Sequence, residues 1–272
     1  MSVAIPAGAG SAGAGSAGAR SSAGREPLMS RALTLATARR VLAQLRHDPR
    51  TVAMMVAVPA VLMILLRYVL NNPLELNRLA PVYIGVFPFV IMFIVAAITT
   101  QRERARGTLE RLMAMPLGKL DLLAGYAIAF GLFACVQVTV VLVISLTWLG
   151  ISVPGSAVPM AIIAVLDAIL GMACGLFASA FARSEFQAVQ FMPAFVLPQV
   201  LLCGLVVPRD QMTPVLSWLS DFLPLSYAVD AMQRIASSGS WTAALTADVA
   251  VILAFTIAAL IGGALTLRRQ TA

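Results

Sequence analysis

The chain is poor in the residues on which most enzyme chemistry depends. Its 272 residues include one histidine, His47, one lysine, Lys119, and three cysteines. Gly118 precedes Lys119 but Leu120 follows it, so no G-x-x-x-x-G-K-[ST] loop exists to cradle a nucleotide phosphate. With His47 outside every apolar run, a Ser–His triad or a His-based zinc site within a membrane is excluded. Cys135, Cys174 and Cys203 lie inside apolar runs without paired spacing and read as small apolar fillers. Charge is scarce too: Asp, Glu, Lys and Arg make up 11% of the chain, where soluble domains have about 25%.

Hydrophobic residues take the place of the missing charge, at 60% of the chain. A bilayer core of about 30 Å needs roughly 20 apolar residues per helical crossing. Runs near 51–70, 81–100, 122–148, 158–181, 187–207 and 243–265 meet that need, and they predict an all-α integral membrane protein with six spans. The net charge of +7 sorts by side. Fifteen of the nineteen basic residues fall before the first span, in the second and fourth loops and in the tail. Positive charge stays cytoplasmic, so both termini are expected inside. The basic balance then reflects topology and attraction to anionic lipid rather than nucleic-acid binding.

Residues 1–26 include the tract AGAGSAGAGSAGARSSAG, which has nothing large to bury and is expected to be disordered. It has no apolar core behind a basic start, which argues against a cleaved signal peptide. Over 27–48, Leu35, Ala38, Val41, Leu42 and Leu45 recur at helical steps beside Arg39 and Arg46. That pattern predicts an amphipathic helix on the inner membrane surface, ended by an elbow at His47-Asp48-Pro49. A transmembrane unit is expected over 49–272.

Between spans two and three, Gly107 suits a helix end and Thr108 the N-cap of a short helix over 109–115, with Leu109, Leu112 and Met113 on one side and Pro116 beyond. If the helix instead runs through, Glu103, Arg106 and Glu110 share a face. Five basic and two acidic side chains within 102–119 suit docking to a charged groove on another protein. The stretch 208–241 reads as two re-entrant or interfacial helices on the outer side. Thr213 and Ser226 are their expected caps, and Asp230 and Arg234 an expected i,i+4 pair.

Asp167 lies near the middle of span four, where insertion scales charge about 2.5–3.5 kcal/mol for a carboxylate. It reads either as a cavity-facing group for a cationic substrate or partner helix, or as an acid held at a helix contact. Gly171 and Gly175 beside it have the spacing of close helix packing. Asp248 and Arg67, nearer span ends, are expected to reach interfacial water.

Three segments carry a resemblance to a known family. The first is Leu45-Arg46-His47-Asp48-Pro49-Arg50-Thr51, leading into a span with Pro59. The second is Arg102-Glu103-Arg104-Ala105-Arg106-Gly107-Thr108-Leu109-Glu110-Arg111-Leu112 with Pro116. The third is Gly204-Leu205-Val206-Val207-Pro208, then Leu223-Pro224-Leu225-Ser226-Tyr227-Ala228-Val229-Asp230-Ala231-Met232. On these residues the chain resembles the ABC-2 type permease family, in particular the daunorubicin-resistance-like drug-export permeases of actinobacteria. Tyr126 departs from that pattern, because relatives often have lysine after the glycine, and it leaves a lipid-anchoring role there without its residue.

The resemblance implies a bacterial cytoplasmic-membrane permease that pairs with a second copy, or a homologous permease, over separate ATPase subunits that bind ATP and magnesium. This chain would bind no cofactor of its own. It implies a coupling helix drawn from Arg102, Glu103, Arg104, Arg106, Gly107, Thr108, Leu109, Glu110 and Arg111, and an outer re-entrant hairpin marked by Pro208, Pro224, Tyr227 and Asp230. The implied function is export of an amphiphilic drug or lipid. A lipid-linked glycan exporter of the same fold would need more sugar-stacking aromatics than three Trp and four Tyr provide. A non-transporting membrane scaffold is the third reading.

Overall fold

The computed structural model describes residues 30–108, 118–153 and 156–266. The Gly/Ala/Ser tract, the short helix expected at 109–115 and the basic tail lie outside the described residues. No strand occurs among the described residues. The elements in order are α1 (Arg31–His47), α2 (Pro49–Leu70), α3 (Pro73–Ala105), α4 (Lys119–Val143), α5 (Ala157–Ser179), α6 (Glu185–Leu202), α7 (Pro214–Asp221), α8 (Pro224–Ser238) and α9 (Ala243–Thr266). A π turn, Ile144–Trp148, extends α4, and a 3₁₀ turn, Arg209–Gln211, precedes α7.

Among the described residues, five helices are long and apolar enough to cross a membrane: α2, α3, α4 with its π turn, α5 and α9. The fifth expected span, over 187–207, is shorter than its apolar run. As α6 it has 18 residues and stops at Leu202, and at about 1.5 Å per residue this is close to 27 Å. Gln187, Gln190 and Gln199, with Pro193 and Pro198, dilute its apolar character. Gly204, at φ +90°, turns the chain out of the helical direction directly afterwards. In the other direction α3 begins at Pro73, eight residues before the apolar run, and continues through Pro81 and Pro88. Packing on several neighbours sustains a helix through proline at these positions.

The centre of the bundle is the α3–α5 contact. A Cβ on Gly171 would lie 2.3 Å from the carbonyl oxygen of Phe89, and one on Gly175 would lie 2.2 Å from that of Phe93. The two backbones therefore touch along one face, as small residues in this spacing permit. Phe89, Met92 and Phe93 fill the surrounding core. In contrast, α2 and α9 leave most of their apolar residues uncovered, including Val61, Leu65, Val69, Ile257 and Leu265. Exposed aliphatic surface on long peripheral helices is what lipid would cover.

Helix α1 packs on α4, but not through the whole predicted stripe. Thr34, Thr37, Ala38 and Val41 are buried, while Leu35 is 60% exposed. Thr37 sits over Gly125, where a Cβ would come within 2.5 Å of its own Cβ. The small α4 residue thus selects threonine for the contact and turns Leu35 outward.

Candidate functional site

The end of α3 that carries the arginines is tied to three other helices. Glu103 sits in the last turn of α3 and is only 6% exposed. Its carboxylate is gripped by Arg40 of α1, with Nη1 2.9 Å from Oε1 and Nη2 3.5 Å from Oε2. The hydroxyl of Tyr126, on α4, donates to Glu103 Oε2. Arg40 Nη2 also donates to the Tyr126 hydroxyl at 3.3 Å, and its guanidinium lies 5.9 Å from the ring centroid. With its amide suitably turned, Gln44 closes the ring by donating to Glu103 Oε1 and accepting from Arg40 Nη1, each at 3.3 Å. Burial alone would lower the Arg40 pKa, but the bond and charge of Glu103 outweigh it and hold Arg40 above its usual value.

Two further contacts complete the junction. Arg102 clasps Glu185 of α6 through both nitrogen donors, Nε at 3.2 Å and Nη2 at 3.1 Å. The bond from Arg102 holds the Glu185 carboxyl below its ordinary pKa. Asp121, in the first turn of α4, accepts from the Ser30 backbone N–H at 2.7 Å and from Thr34 Oγ1 at 2.9 Å. This pins the start of α1.

Immediately past this junction α3 ends at Ala105, and Gly107 takes φ +66°, a left-handed turn that glycine adopts without strain. The helix α3 therefore stops before Arg106 instead of carrying Glu103 and Arg106 on one continuous helix. Thr108 Oγ1 donates back to the Glu103 carbonyl oxygen at 2.9 Å. Of the predicted coupling residues, Glu103 faces inward, Arg102 and Arg104 are half-buried, and Arg106 is exposed. Leu109, Glu110 and Arg111 lie outside the described residues. A cavity of about 670 Å³ opens between the α1–α2 elbow and this end of α3, with Val41, Leu45, Val95 and Ile98 among its apolar walls.

The opposite end of the bundle holds the hairpin, where the charge pairing differs from the expected one. Asp230 does not pair with Arg234. Instead Arg209 bridges the hairpin, bound to Asp221 and, at 2.5 Å, to Asp230. Arg234 pairs with Asp248 of α9 at 2.9 Å. Asp248 is 7% exposed and so does not reach interfacial water. Tyr227 stacks 5.7 Å from the Arg209 guanidinium and donates from its hydroxyl to the Asp221 carbonyl oxygen at 2.9 Å. Pro208 precedes the 3₁₀ turn, and Pro224 opens α8 behind Leu223 as N-cap. Ser226 is therefore inside the helix, within 2.9 Å of Ser220 Oγ, rather than capping it.

Asp167 faces a helix contact and lines neither large cavity. It is 1% exposed, and neither carboxyl oxygen has a hydrogen-bond partner. A Cβ on Gly85 of α3 would lie 3.3 Å from its Oδ2 and 3.2 Å from the terminal methyl of Met232 on α8. The carboxyl group thus fills the notch that Gly85 leaves beneath the hairpin. Among the described residues no group of three or more potential metal ligands occurs.

Arg40, Tyr126, Asp121 and Arg209 carry much of this geometry and were not among the predicted site residues. Arg40 read as one basic residue of a topological flank, and Tyr126 as a departure. Only their placement opposite Glu103, across 63 and 23 positions of sequence, reveals them.

Comparison with known proteins agrees with this architecture. The ABC-2 type transporter family profile matches residues 31–236. The chain is 25% identical over 186 residues to the probable multidrug ABC transporter permease YbhS of Escherichia coli K12, covering 67% of this chain and 49% of that protein. It is 28% identical over 155 residues to the probable multidrug ABC transporter permease YbhR of the same strain, covering 57% and 42%. It is 25% identical over 168 residues to ABC transporter G family member 20 of Dictyostelium discoideum, covering 62% and 23%. The matches span under half the length of each of these relatives.

Proposed function

From the premise that this chain belongs to the ABC-2 type transporter family, we propose that it is the membrane permease of an ATP-driven exporter of amphiphilic drugs or lipids. A separate ABC ATPase subunit supplies ATP and magnesium chemistry. The observation that carries the reading is the junction of Arg40, Glu103 and Tyr126, with Arg102 on Glu185 beside it. It couples α1, α3, α4 and α6 where the chain leaves for the 109–117 segment. A push on that segment reaches α1, α3 and α4 through the buried Arg40–Glu103–Tyr126 network, whose charge-assisted bonds resist shear, and reaches α6 through the exposed Arg102–Glu185 pair.

In this reading the arginine-rich end is cytoplasmic in a bacterial membrane, by the charge rule. Arg102, Arg104, Arg106, Gly107 and Thr108, with Leu109, Glu110 and Arg111, form the docking lever. Each chain has six crossings, α6 among them. Its three glutamines, two prolines and poorly covered face suit it to line a path shared with a second permease copy better than to face lipid alone. The names of YbhS and YbhR, both probable multidrug ABC transporter permeases, support drug-like cargo.

The test is ATP-dependent uptake of a fluorescent cationic amphiphile into inside-out vesicles containing this chain and an ABC ATPase. The reading expects uptake that requires both proteins and ATP. Uptake that is the same without this chain would overturn it.

A further inference from the structure

The hairpin end contains a second cavity, of about 760 Å³, lined in part by Arg78, Arg209, Asp210, Asp230, Gln233 and Arg234. That volume suits a small-molecule or head-group site. Most of its charge is already matched within the chain: Arg209 by Asp221 and Asp230, and Arg234 by Asp248. Arg78 and Asp210 remain. Both are exposed, and neither forms an ion pair with any described residue, including each other. The cavity therefore presents one uncommitted cation and one uncommitted anion among its lining residues.

Its depth is marked independently. All three tryptophans of the chain fall at this end and are exposed: Trp148 by 68%, Trp218 by 63% and Trp241 by 46%. Exposed tryptophan collects at the level of lipid head groups. Trp148 belongs to the same end because Ser152, just beyond it, donates its backbone N–H to Asn77 Oδ1 at the start of α3. Val206, which lines the cavity, is 66% exposed, and its chain neighbour Val207 is 41% exposed. An apolar rim thus adjoins a polar pocket at head-group depth.

We propose that this cavity binds the head group of a zwitterionic phospholipid, its phosphate on Arg78, its ammonium on Asp210 and its chains along the Val206 rim. The site requires a head-group layer at this end of the bundle and nothing of the transport reading, whose vesicle assay is scored separately.

The experiment is native mass spectrometry of the delipidated full chain in detergent, titrated with dioleoylphosphatidylethanolamine or dioleoylphosphatidylglycerol. Losing one charge-assisted contact should weaken binding about tenfold. Arg78→Gln should weaken both lipids by that factor, and Arg78→Lys should restore most of it. Asp210→Asn should weaken phosphatidylethanolamine about tenfold and leave phosphatidylglycerol unchanged. Both side chains are exposed, so melting temperatures without lipid should stay within a degree or so. Wild-type phosphatidylethanolamine binding in either glutamine or asparagine variant would overturn the proposal. So would equal weakening of both lipids by Asp210→Asn.

Discussion

Glu103 accepts from Arg40 and Tyr126 at once, in a position almost closed to water. Removing its charge leaves Arg40 half-buried without its counter-ion, whereas removing the Tyr126 hydroxyl leaves that ion pair intact. Glu103→Gln should therefore destabilise the chain by about 1–3 kcal/mol and Tyr126→Phe by about 1 kcal/mol, read as melting temperatures in one detergent. The Arg102–Glu185 clasp has its own pH signature. Arg102 lowers the folded-state pKa of Glu185, so its contribution is fully present above the ordinary glutamate range. It is lost as pH falls through the lowered value, and Glu185→Gln should remove that acid-dependent part of the stability curve. At this scale the sequence was only partly legible. It marked Glu103, Tyr227 and Asp230 as important, but it could not choose Arg209 over Arg234 as the partner of Asp230. A pair at i,i+4 is visible in one dimension, whereas the bond from Arg209 crosses a turn.

At the scale of elements, α3 and α5 depend on the absence of side chains. Gly171→Ala and Gly175→Ala each place a methyl group within 2.3 Å of a carbonyl oxygen of α3. The helices must then separate, which should cost about 1–3 kcal/mol for each change. Gly131→Ala is the control, since its Cβ would meet Ile169 at an ordinary 3.5 Å and should change stability little. Circular dichroism melts of the three variants check both expectations. Gly171 and Gly175 were readable from their spacing, as were the elbow at Pro49 and the helix stop at Gly107. The early start of α3 was hidden by Pro81, which looks like a boundary until neighbouring helices sustain the turn across it. The shortness of α6 was hidden by Cys203, Leu205, Val206 and Val207, which prolong its apolar run after the backbone has already turned at Gly204.

At the scale of the molecule, two unlike ends are joined by an apolar bundle. One end gathers arginines around an internal acid; the other braces a hairpin with Arg209 and carries the tryptophans. Composition alone announced the membrane class, because 60% hydrophobic and 11% charged residues leave few soluble alternatives. It could not announce the junction of α1, α3, α4 and α6, which exists only once the chain is folded. If that junction transmits work, its entry point is the segment containing Glu110. The most direct measurement is ATP hydrolysis by an ABC ATPase reconstituted with this chain in lipid nanodiscs, with and without a cationic amphiphile, for wild type and Glu110→Lys. The account predicts that the amphiphile stimulates hydrolysis in the wild type and that Glu110→Lys abolishes the stimulation while the protein still inserts. An ATPase rate indifferent to the presence of the permease would contradict it.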